Sequence, residues 1–291
     1  MQQSEGGLSG IDGLDLYYQR WFPDQHVKAI VGLVHGLGSH SGCFMTVVNP
    51  LVASGYGVYA FDLRGHGQSS GQRGYINNWT EFRGDFHQFW QLMVDHNPRL
   101  PCFALGHSLG ALVLLDYVLH YPEALSGIVT LAPVIAAVGI SPLKLAIGKI
   151  LSRVWPRFTL ATGLDNKAGS RNPVIVSAYA HDSLRHTKGT ARLTTEFFKT
   201  RNWIQAHLPE LTIPILMLHG SCDRVALPES SRIAFTRLSN SDKVYREYSG
   251  AYHDLHNDLC ASEVSQDILH WLDYRTQSKI RLCQLGDRLA S

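Results

Sequence analysis

The pentapeptide Gly106-His107-Ser108-Leu109-Gly110 constrains the fold of this chain more than any other stretch. The apolar residues 102–105 before it predict a buried strand, and the apolar residues 111–120 after it predict a helix. The pattern G-x-S-x-G at a strand-to-helix turn is the nucleophile elbow, which exposes a serine hydroxyl above a sheet. Glycines are needed there because strand and helix approach closely. This context favours a catalytic serine over a chance match to a loose pattern.

Strand and helix signals alternate along most of the chain. Strands are predicted at residues 14–21, 29–34, 58–61, 102–105, 128–131, 213–218 and 244–248, and helices at residues 79–96, 111–121, 229–238 and 262–274. Most of the strands are uniformly apolar, as in a parallel sheet that helices cover on both faces. We therefore expect an α/β fold with a mostly parallel central sheet, formed by residues 1–132 and 206–291. Residues 133–205 interrupt the alternation and predict an inserted helical cap.

Composition excludes several other classes of protein. The net charge of +2 over 291 residues argues against nucleic acid as a partner. The five cysteines are widely spaced and contain no C-x-x-C pair, which argues against structural zinc and a disulfide framework and favours a reducing compartment such as the cytoplasm. The histidine pairs 181/186 and 253/256 have no further ligand nearby in sequence, so neither a metal nor an organic cofactor is expected. No signal peptide or membrane-spanning stretch is predicted, and the oligomeric state stays open.

A glycine-rich loop supplies a second catalytic component. His35-Gly36-Leu37-Gly38 directly follows the strand that ends at Val34. Ester hydrolysis passes through a tetrahedral oxyanion, which two backbone N–H groups can stabilise. In an elbow enzyme one donor follows the nucleophile, here Leu109, and the other comes from a loop of this kind. Leu37 is the candidate for the second donor, although the same loop alone is equally consistent with an ordinary glycine turn.

Chain order selects the partners of the serine. A serine needs a histidine to accept its proton and an acid to orient that histidine. In an elbow enzyme the acid and then the histidine follow the serine, each after a later strand. Asp223 follows the strand ending at Leu218, and His253 follows the strand ending near Tyr248. The competing interpretation of Asp223 is a turn-forming residue, and the rival base is His256.

Four motifs in order also carry a family resemblance. They are HGLGSHSG (residues 35–42), FDLRGHGQSSG (61–71), the GHSLG elbow and YHDLHND (252–258). Together they resemble the monoacylglycerol lipase and lysophospholipase branch of the α/β-hydrolase fold, over nearly the whole chain. The resemblance implies Ser108 as nucleophile, Asp223 and His253 as its partners, and the amides of Leu37 and Leu109 as oxyanion hole. It implies that residues 62–67 act as a structural brace.

The head-group region departs from this family. Animal monoacylglycerol lipases carry a Glu at the position of Ser39 and an Arg-Tyr pair at the position of Cys43-Phe44, so both charges are absent here. His256 matches a third polar residue of that region. We expect Ser39, Cys43 and His256 to contact substrate, together with Gly36 and His107. The head group itself stays open between glycerol and other alcohols.

The predicted cap is basic and contains an amphipathic helix. Residues 134–205 hold eleven Lys or Arg against three acids, a net charge of +8. One helical face carries an apolar stripe, and the other carries polar and basic residues: Leu143, Ile147, Ile150, Leu151 and Val154 against Lys144, Lys149, Ser152 and Arg153. The stripe either packs on the core, which is the commoner arrangement, or contacts an anionic membrane. So basic a cap also argues against an aminopeptidase, whose substrate amine needs carboxylates.

We therefore predict a serine carboxylester hydrolase that releases fatty acid from single-chain lipids such as monoacylglycerol or lysophospholipid, by way of an acyl-enzyme on Ser108. The alternatives are a general short-chain carboxylesterase and a catalytically silent binding protein of the same fold. Haloalkane and epoxide hydrolysis need a carboxylate at the elbow, which Ser108 excludes. The expected location is cytoplasmic, with peripheral membrane contact if the apolar stripe of the cap helix meets an anionic membrane.

Overall fold

One large sheet forms the centre of the molecule. The computed structural model describes residues 1–135, 142–163 and 165–290. Their strands are Gln2–Ser9 (β1), Asp15–Phe22 (β2), Ala29–Val34 (β3), Tyr56–Phe61 (β4), Cys102–His107 (β5), Ile128–Leu131 (β6), Thr159–Ala161 (β7), Lys188–Thr190 (β8), Ile215–Gly220 (β9) and Lys243–Tyr248 (β10). In this part of the chain the large sheet has the order β1-β2-β4-β3-β5-β6-β9-β10, and β7 pairs with β8 in a small separate sheet. In the large sheet β2 pairs antiparallel with β1 and β4, and the remaining pairs are parallel.

Helices cover both faces of the sheet. They are Met45–Ala53 (α1), Trp79–His96 (α2), Leu109–His120 (α3), Pro142–Val154 (α4), Pro173–His181 (α5), Ala191–His207 (α6), Pro228–Arg237 (α7) and Ala261–Ala290 (α8). Alternate residues of β3 enter two different cores. Ile30 and Val34 pack with side chains of α2 and α3, whereas Val31 and Leu33 pack with side chains of α1 and α8. The central strands are buried along their whole length, as expected of a sheet covered on both faces: β3, β4, β5, β6 and β9. The predicted fold class is confirmed.

The carboxyl ends of the parallel strands bring four loops to one edge of the sheet. The loop after β3 begins at His35, the turn after β5 holds Ser108, and the loops after β9 and β10 hold Asp223 and His253. Ligands of open α/β sheets bind at this edge.

A long segment is inserted between β6 and β9, which are neighbours in the sheet. It contains α4, α5 and α6, and also the small β7–β8 sheet, which the sequence did not predict. Leu193 and Ile204 of α6 join the core formed by α2 and α3, so this part of the insertion packs on the sheet domain.

Three further elements differ from the sequence prediction. β1 was not predicted because it is a mostly exposed, Gly-rich edge strand that pairs only with β2. α1 was missed because it is short and contains Pro50. α8 begins as predicted but continues to Ala290.

The interpretation that the apolar stripe of α4 packs on the core was wrong. Ile147, Ile150 and Val154 are 56%, 64% and 79% exposed. Ser152, expected on the solvent side, is buried and shares a 2.8 Å hydrogen bond with Thr195 of α6. The periodicity predicted the faces of the helix but not which of them would meet the protein. The side chains of Leu143 and Lys144 lie outside the described residues.

None of the helices in the described residues has the length and apolar character needed to cross a membrane.

Candidate active site

Ser108 occupies a strained turn between β5 and α3. Its backbone has φ = 52° and ψ = −113°, in the left-handed region that non-glycine residues rarely adopt. The Ser108 N–H donates to the carbonyl of Leu131 at 2.9 Å, which ties the turn to the end of β6. Such strain persists only where the surroundings enforce it, and it is common at functional sites.

The elbow glycines allow strand, helix and neighbouring loop to touch. A Cβ on Gly106 would lie 2.6 Å from the carbonyl oxygen of Gly110. A Cβ on Gly110 would lie 2.2 Å from the carbonyl oxygen of Val34 and 2.6 Å from that of His35. Backbone atoms cannot move aside as the end of a flexible side chain can, so both positions require glycine.

Gly110→Ala is therefore expected to lower the free energy of unfolding by about 3 kcal/mol, because the methyl group overpacks against fixed backbone. Gly148→Ala is the matched control: no described atom lies within 4 Å of its Cβ position, which is inside α4. There alanine should leave stability unchanged or raise it by about 0.5–1 kcal/mol through helix propensity. Urea unfolding measures both variants, and equal stability of the two would contradict the close approach.

The three residues predicted as a catalytic set lie within hydrogen-bond distance of one another. Ser108 Oγ is 2.9 Å from His253 Nε2, and His253 Nδ1 is 2.7 Å from Asp223 Oδ2. With the proton of the neutral imidazole on Nδ1, that group donates to Asp223, and Nε2 accepts from the serine hydroxyl. In this arrangement the imidazole can take the serine proton as the hydroxyl attacks.

Asp223 is buried among four donors. Its Oδ1 accepts from the N–H groups of Val225 and Ala226, at 2.7 and 2.9 Å, and its Oδ2 accepts from His253 and from His219 Nε2, the latter at 3.1 Å. Burial alone would raise the pKa of this carboxyl, but the charge of His253 and the hydrogen bonds outweigh burial and hold the pKa well below its usual range. Asp223 is thus a fixed anion. Burial opposes the charged form of His253, but Asp223 outweighs burial and raises the His253 pKa above 6.5.

The loop predicted to complete the oxyanion hole is held from both sides. His35 Nε2 accepts from the Leu63 N–H at 2.9 Å, and the Asp62 carboxylate accepts from the N–H groups of Ser41 and Gln68. Residues 62–67 therefore brace the loop, as the resemblance implied. Leu37 lines the cavity that contains Ser108. Leu109 is the first residue of α3, so its N–H has no partner within the helix and is available to a ligand.

Most of the predicted substrate-binding residues line one cavity. Its lining includes Ser108 and His253 together with Gly36, Ser39, His107 and His256. His256 stacks on Phe44 with ring centroids 4.4 Å apart, and burial lowers its pKa to about 4, so it is a neutral polar group at physiological pH. Cys43 reaches the cavity indirectly, since its Sγ contacts Arg185.

The lining residues that the sequence prediction missed include Tyr179, Arg185 and Asp254. Tyr179 and Arg185 come from the insertion and belong to no motif. Asp254 stands beside His253 in the sequence, and its Oδ1 lies 3.3 Å from His107 Nε2. A search for a cation that could replace the Arg absent at Cys43 could have found Arg185.

A mostly parallel sheet with a serine at the β5–α3 turn, and with His and Asp on later loops in bonding distance, defines an α/β-hydrolase, and the protein is a serine hydrolase. A family model described as "Serine aminopeptidase, S33" matches residues 25–260. The chain belongs to this family.

Several similar proteins are lipases. The chain is 32% identical to a monoacylglycerol lipase of Mycolicibacterium smegmatis over 93% of its own length and 97% of the relative's. It is 31% identical to the human monoglyceride lipase, covering 92% of this chain and 90% of that one. The crystal structure of a Paleococcus ferrophilus monoacylglycerol lipase superposes with a TM-score of 0.80 at 31% identity, covering 94% of this chain and all of the other. The resemblance stated from the motifs is confirmed.

Proposed function

We propose that the protein is a carboxylester hydrolase that releases fatty acid from single-chain lipids such as monoacylglycerol or lysophospholipid, with Ser108 as nucleophile. The observation that carries the proposal is the continuous hydrogen-bonded chain from Ser108 through His253 to Asp223. The similarity to monoacylglycerol lipases over more than nine tenths of the chain supports the substrate class.

In the acylation step, Ser108 Oγ attacks the ester carbonyl carbon and His253 Nε2 takes the hydroxyl proton. The negative charge that develops on the carbonyl oxygen is stabilised by the N–H groups of Leu37 and Leu109. His253 then gives its proton to the leaving alcohol, and the acyl group stays on Ser108.

In the deacylation step, water replaces the alcohol. His253 takes a proton from the water molecule as the water oxygen attacks the acyl-enzyme. His253 then returns this proton to Ser108 Oγ as the second tetrahedral intermediate collapses and releases the fatty acid. Asp223 remains ionised throughout, holds the imidazole in one tautomer and stabilises the imidazolium.

Two observations favour ester over peptide substrates, although the family description names an aminopeptidase. Relatives that match more than nine tenths of this chain include monoacylglycerol lipases. The insertion carries eleven Lys or Arg and three acids, which is unfavourable for a cationic amine. The hydrogen-bonded Ser108 argues against a silent binding protein.

The test compares initial rates of fatty-acid release from three esters of matched acyl chain, monoacylglycerol, lysophosphatidylcholine and a short-alcohol ester, with an amino-acid anilide as peptidase control. The proposal expects release from at least one lipid ester at a rate well above that from the anilide. Preference for the short-alcohol ester would indicate a general carboxylesterase. Equal rates with wild type and Ser108→Ala on every substrate would refute the assignment.

The proposal extends to the insertion, residues 133–205, as a cap whose outer surface contacts an anionic membrane. We call the exposed side chains Ile147, Ile150, Val154 and Trp155 the cap patch; each is more than half exposed. Basic side chains stand next to it: Lys149 and Arg153 on α4, and Arg192 and Lys199 on α6, line a neighbouring groove in which Glu196 is the acid. An apolar patch edged by cations fits an anionic lipid surface. The proposed location is therefore the cytoplasmic face of a membrane.

Vesicle flotation tests the cap patch. Wild type should float with phosphatidylcholine vesicles that contain phosphatidylglycerol more than with phosphatidylcholine alone. Ile150→Glu should weaken this binding roughly tenfold, because it removes about 1.5 kcal/mol or more of apolar burial. Ile233→Glu on α7, which is 45% exposed and outside the insertion, is the control and should bind as wild type does. Failure of wild type to float with either vesicle would contradict the proposal.

A further inference from the structure

Arg185 brings a positive charge into the cavity of Ser108 from the insertion. It lies in the turn between α5 and β8. Two contacts fasten this turn to the loop after β3: the His186 N–H donates to the Gly38 carbonyl at 3.0 Å, and the Asp182 carboxylate lies 2.8 Å from His40 Nε2. The backbone that carries the guanidinium is therefore fixed relative to the proposed oxyanion loop.

Among the described residues, the contacts of the guanidinium engage only a minority of its donors. Its Cζ lies 3.7 Å from the centroid of the Tyr179 ring, and this cation–π contact helps to orient the guanidinium group. Its Nη1 is 3.3 Å from Ser39 Oγ and 3.6 Å from Cys43 Sγ. An arginine has five N–H donors, so these two long contacts satisfy a minority of them.

Nearby carboxylates are bound elsewhere. Asp182 and Asp254 both act electrostatically on Arg185. Asp182 pairs with His40, whose pKa is raised to about 9 against the effect of burial by contacts with Cys43 and Asp182, so this is an ion pair at neutral pH. Asp254 Oδ1 lies 3.3 Å from His107 Nε2; burial lowers the His107 pKa, so this contact is a hydrogen bond from a neutral imidazole to an ionised carboxylate that also lines the cavity. In the described part of the chain, no carboxylate stands within ion-pair distance of Arg185.

Cys43 is the remaining partner. Burial raises the pKa of its thiol, but His40 and Arg185 outweigh burial and lower it. The contact uses one guanidinium nitrogen at 3.6 Å, which leaves the rest of a cavity-lining side chain for a ligand.

We infer that Arg185 recognises a negatively charged head group, a phosphate or a carboxylate, on the alcohol side of the ester. The inference rests on the proposed ester hydrolysis and names its substrate class. Arg185 contacts Ser39 and Cys43, which lie between β3 and α1 on the same segment as Leu37, the proposed oxyanion donor. A planar guanidinium matches two oxygens of a carboxylate or phosphate at once, which a neutral glycerol cannot exploit equally.

The test uses three esters with the same decanoyl chain: 1-decanoylglycerol, its 3-phosphate and the 3-decanoyl ester of glycerate, each below its aggregation concentration. The enzymes are wild type, Arg185→Gln, Arg185→Lys and Lys188→Gln. Lys188 is an exposed residue three positions along the same segment, so its replacement removes an equal charge outside the cavity. The readout is kcat/KM for each ester, expressed as the ratio of anionic to neutral substrate.

Arg185→Gln should lower this ratio roughly 10–100-fold, the range for loss of a hydrogen bond to a charged group. Arg185→Lys keeps the positive charge but loses the planar set of N–H donors, so its ratio should fall less. Lys188→Gln should keep the wild-type ratio. A fall for the phosphate ester alone, or for the glycerate ester alone, supports the inference and identifies the head group. If Arg185→Gln does not fold, Arg185→Lys carries the same test.

The inference is overturned if Arg185→Gln changes the ratio of kcat/KM between anionic and neutral ester no more than Lys188→Gln does. The proposed function fails separately, if wild type releases no more fatty acid than Ser108→Ala from all three esters. Hydrolysis of the neutral ester with an unchanged ratio would therefore remove the role of Arg185 and leave ester hydrolysis standing.

Discussion

Ser108→Ala is expected to lower kcat/KM for ester hydrolysis by roughly 10⁶-fold, the order found when the nucleophile of a serine triad is removed. His253 would keep its bond to Asp223, but no group in bonding distance of its Nε2 could form the acyl-enzyme. The loss should appear in kcat, because the cavity that binds substrate is unchanged. Fatty-acid release measured over hours, against a no-enzyme blank, gives the required range.

The matched control is Ser265→Ala. Ser265 is also a buried serine, but it lies on α8 and donates to the Thr46 carbonyl at 3.2 Å, away from the cavity. It should keep activity within about twofold of wild type. A Ser108→Ala protein that folds like wild type and retains more than a trace of activity would contradict the assigned nucleophile.

Asp223→Asn is expected to lower kcat/KM by roughly 10³–10⁴-fold. All four groups around the Asp223 oxygens are donors, so an amide NH₂ in either orientation faces N–H groups that it cannot bond. If the NH₂ turns toward His253, the imidazole adopts the other tautomer, and Nε2 can no longer accept the serine proton. The conservative change therefore removes the base while the serine remains.

The same variant should change the pH profile. His253 works as a base only when neutral, and Asp223 raises its pKa above 6.5 in the wild type. The acid limb of wild-type kcat/KM should therefore lie above pH 6.5, with activity lost as the pH falls through it. In Asp223→Asn the limb should shift to lower pH, because burial alone lowers the His253 pKa. Asp116→Asn, another buried carboxylate in α3, should keep the wild-type profile; an unshifted limb in Asp223→Asn would contradict the pairing.

The parts predicted well from sequence are those where local pattern and burial agree. β3 and β6 match their predicted bounds because strands buried on both faces are short apolar runs bounded by turn residues. The loops after β5, β9 and β10 hold glycine or polar residues for chemical reasons, so Ser108, Asp223 and His253 could be selected from the sequence by chain order.

The parts predicted poorly depend on tertiary packing. The periodicity of α4 separates two faces, but only the Ser152–Thr195 contact with α6 decides which face is inside. β1 exists through its pairing with β2 and carries little apolar signal of its own. Arg185 enters the cavity because one backbone hydrogen bond and one side-chain ion pair hold its turn against a loop almost 150 residues earlier in the chain. Local sequence does not encode such a relation.

Covalent labelling with a fluorophosphonate, followed by mapping of the modified peptide by mass spectrometry, tests the central claim most directly. The account predicts one phosphonylated residue, Ser108, with labelling abolished in Ser108→Ala and strongly slowed in Asp223→Asn. Labelling of a different residue, or an unlabelled wild-type protein that is folded, would contradict it.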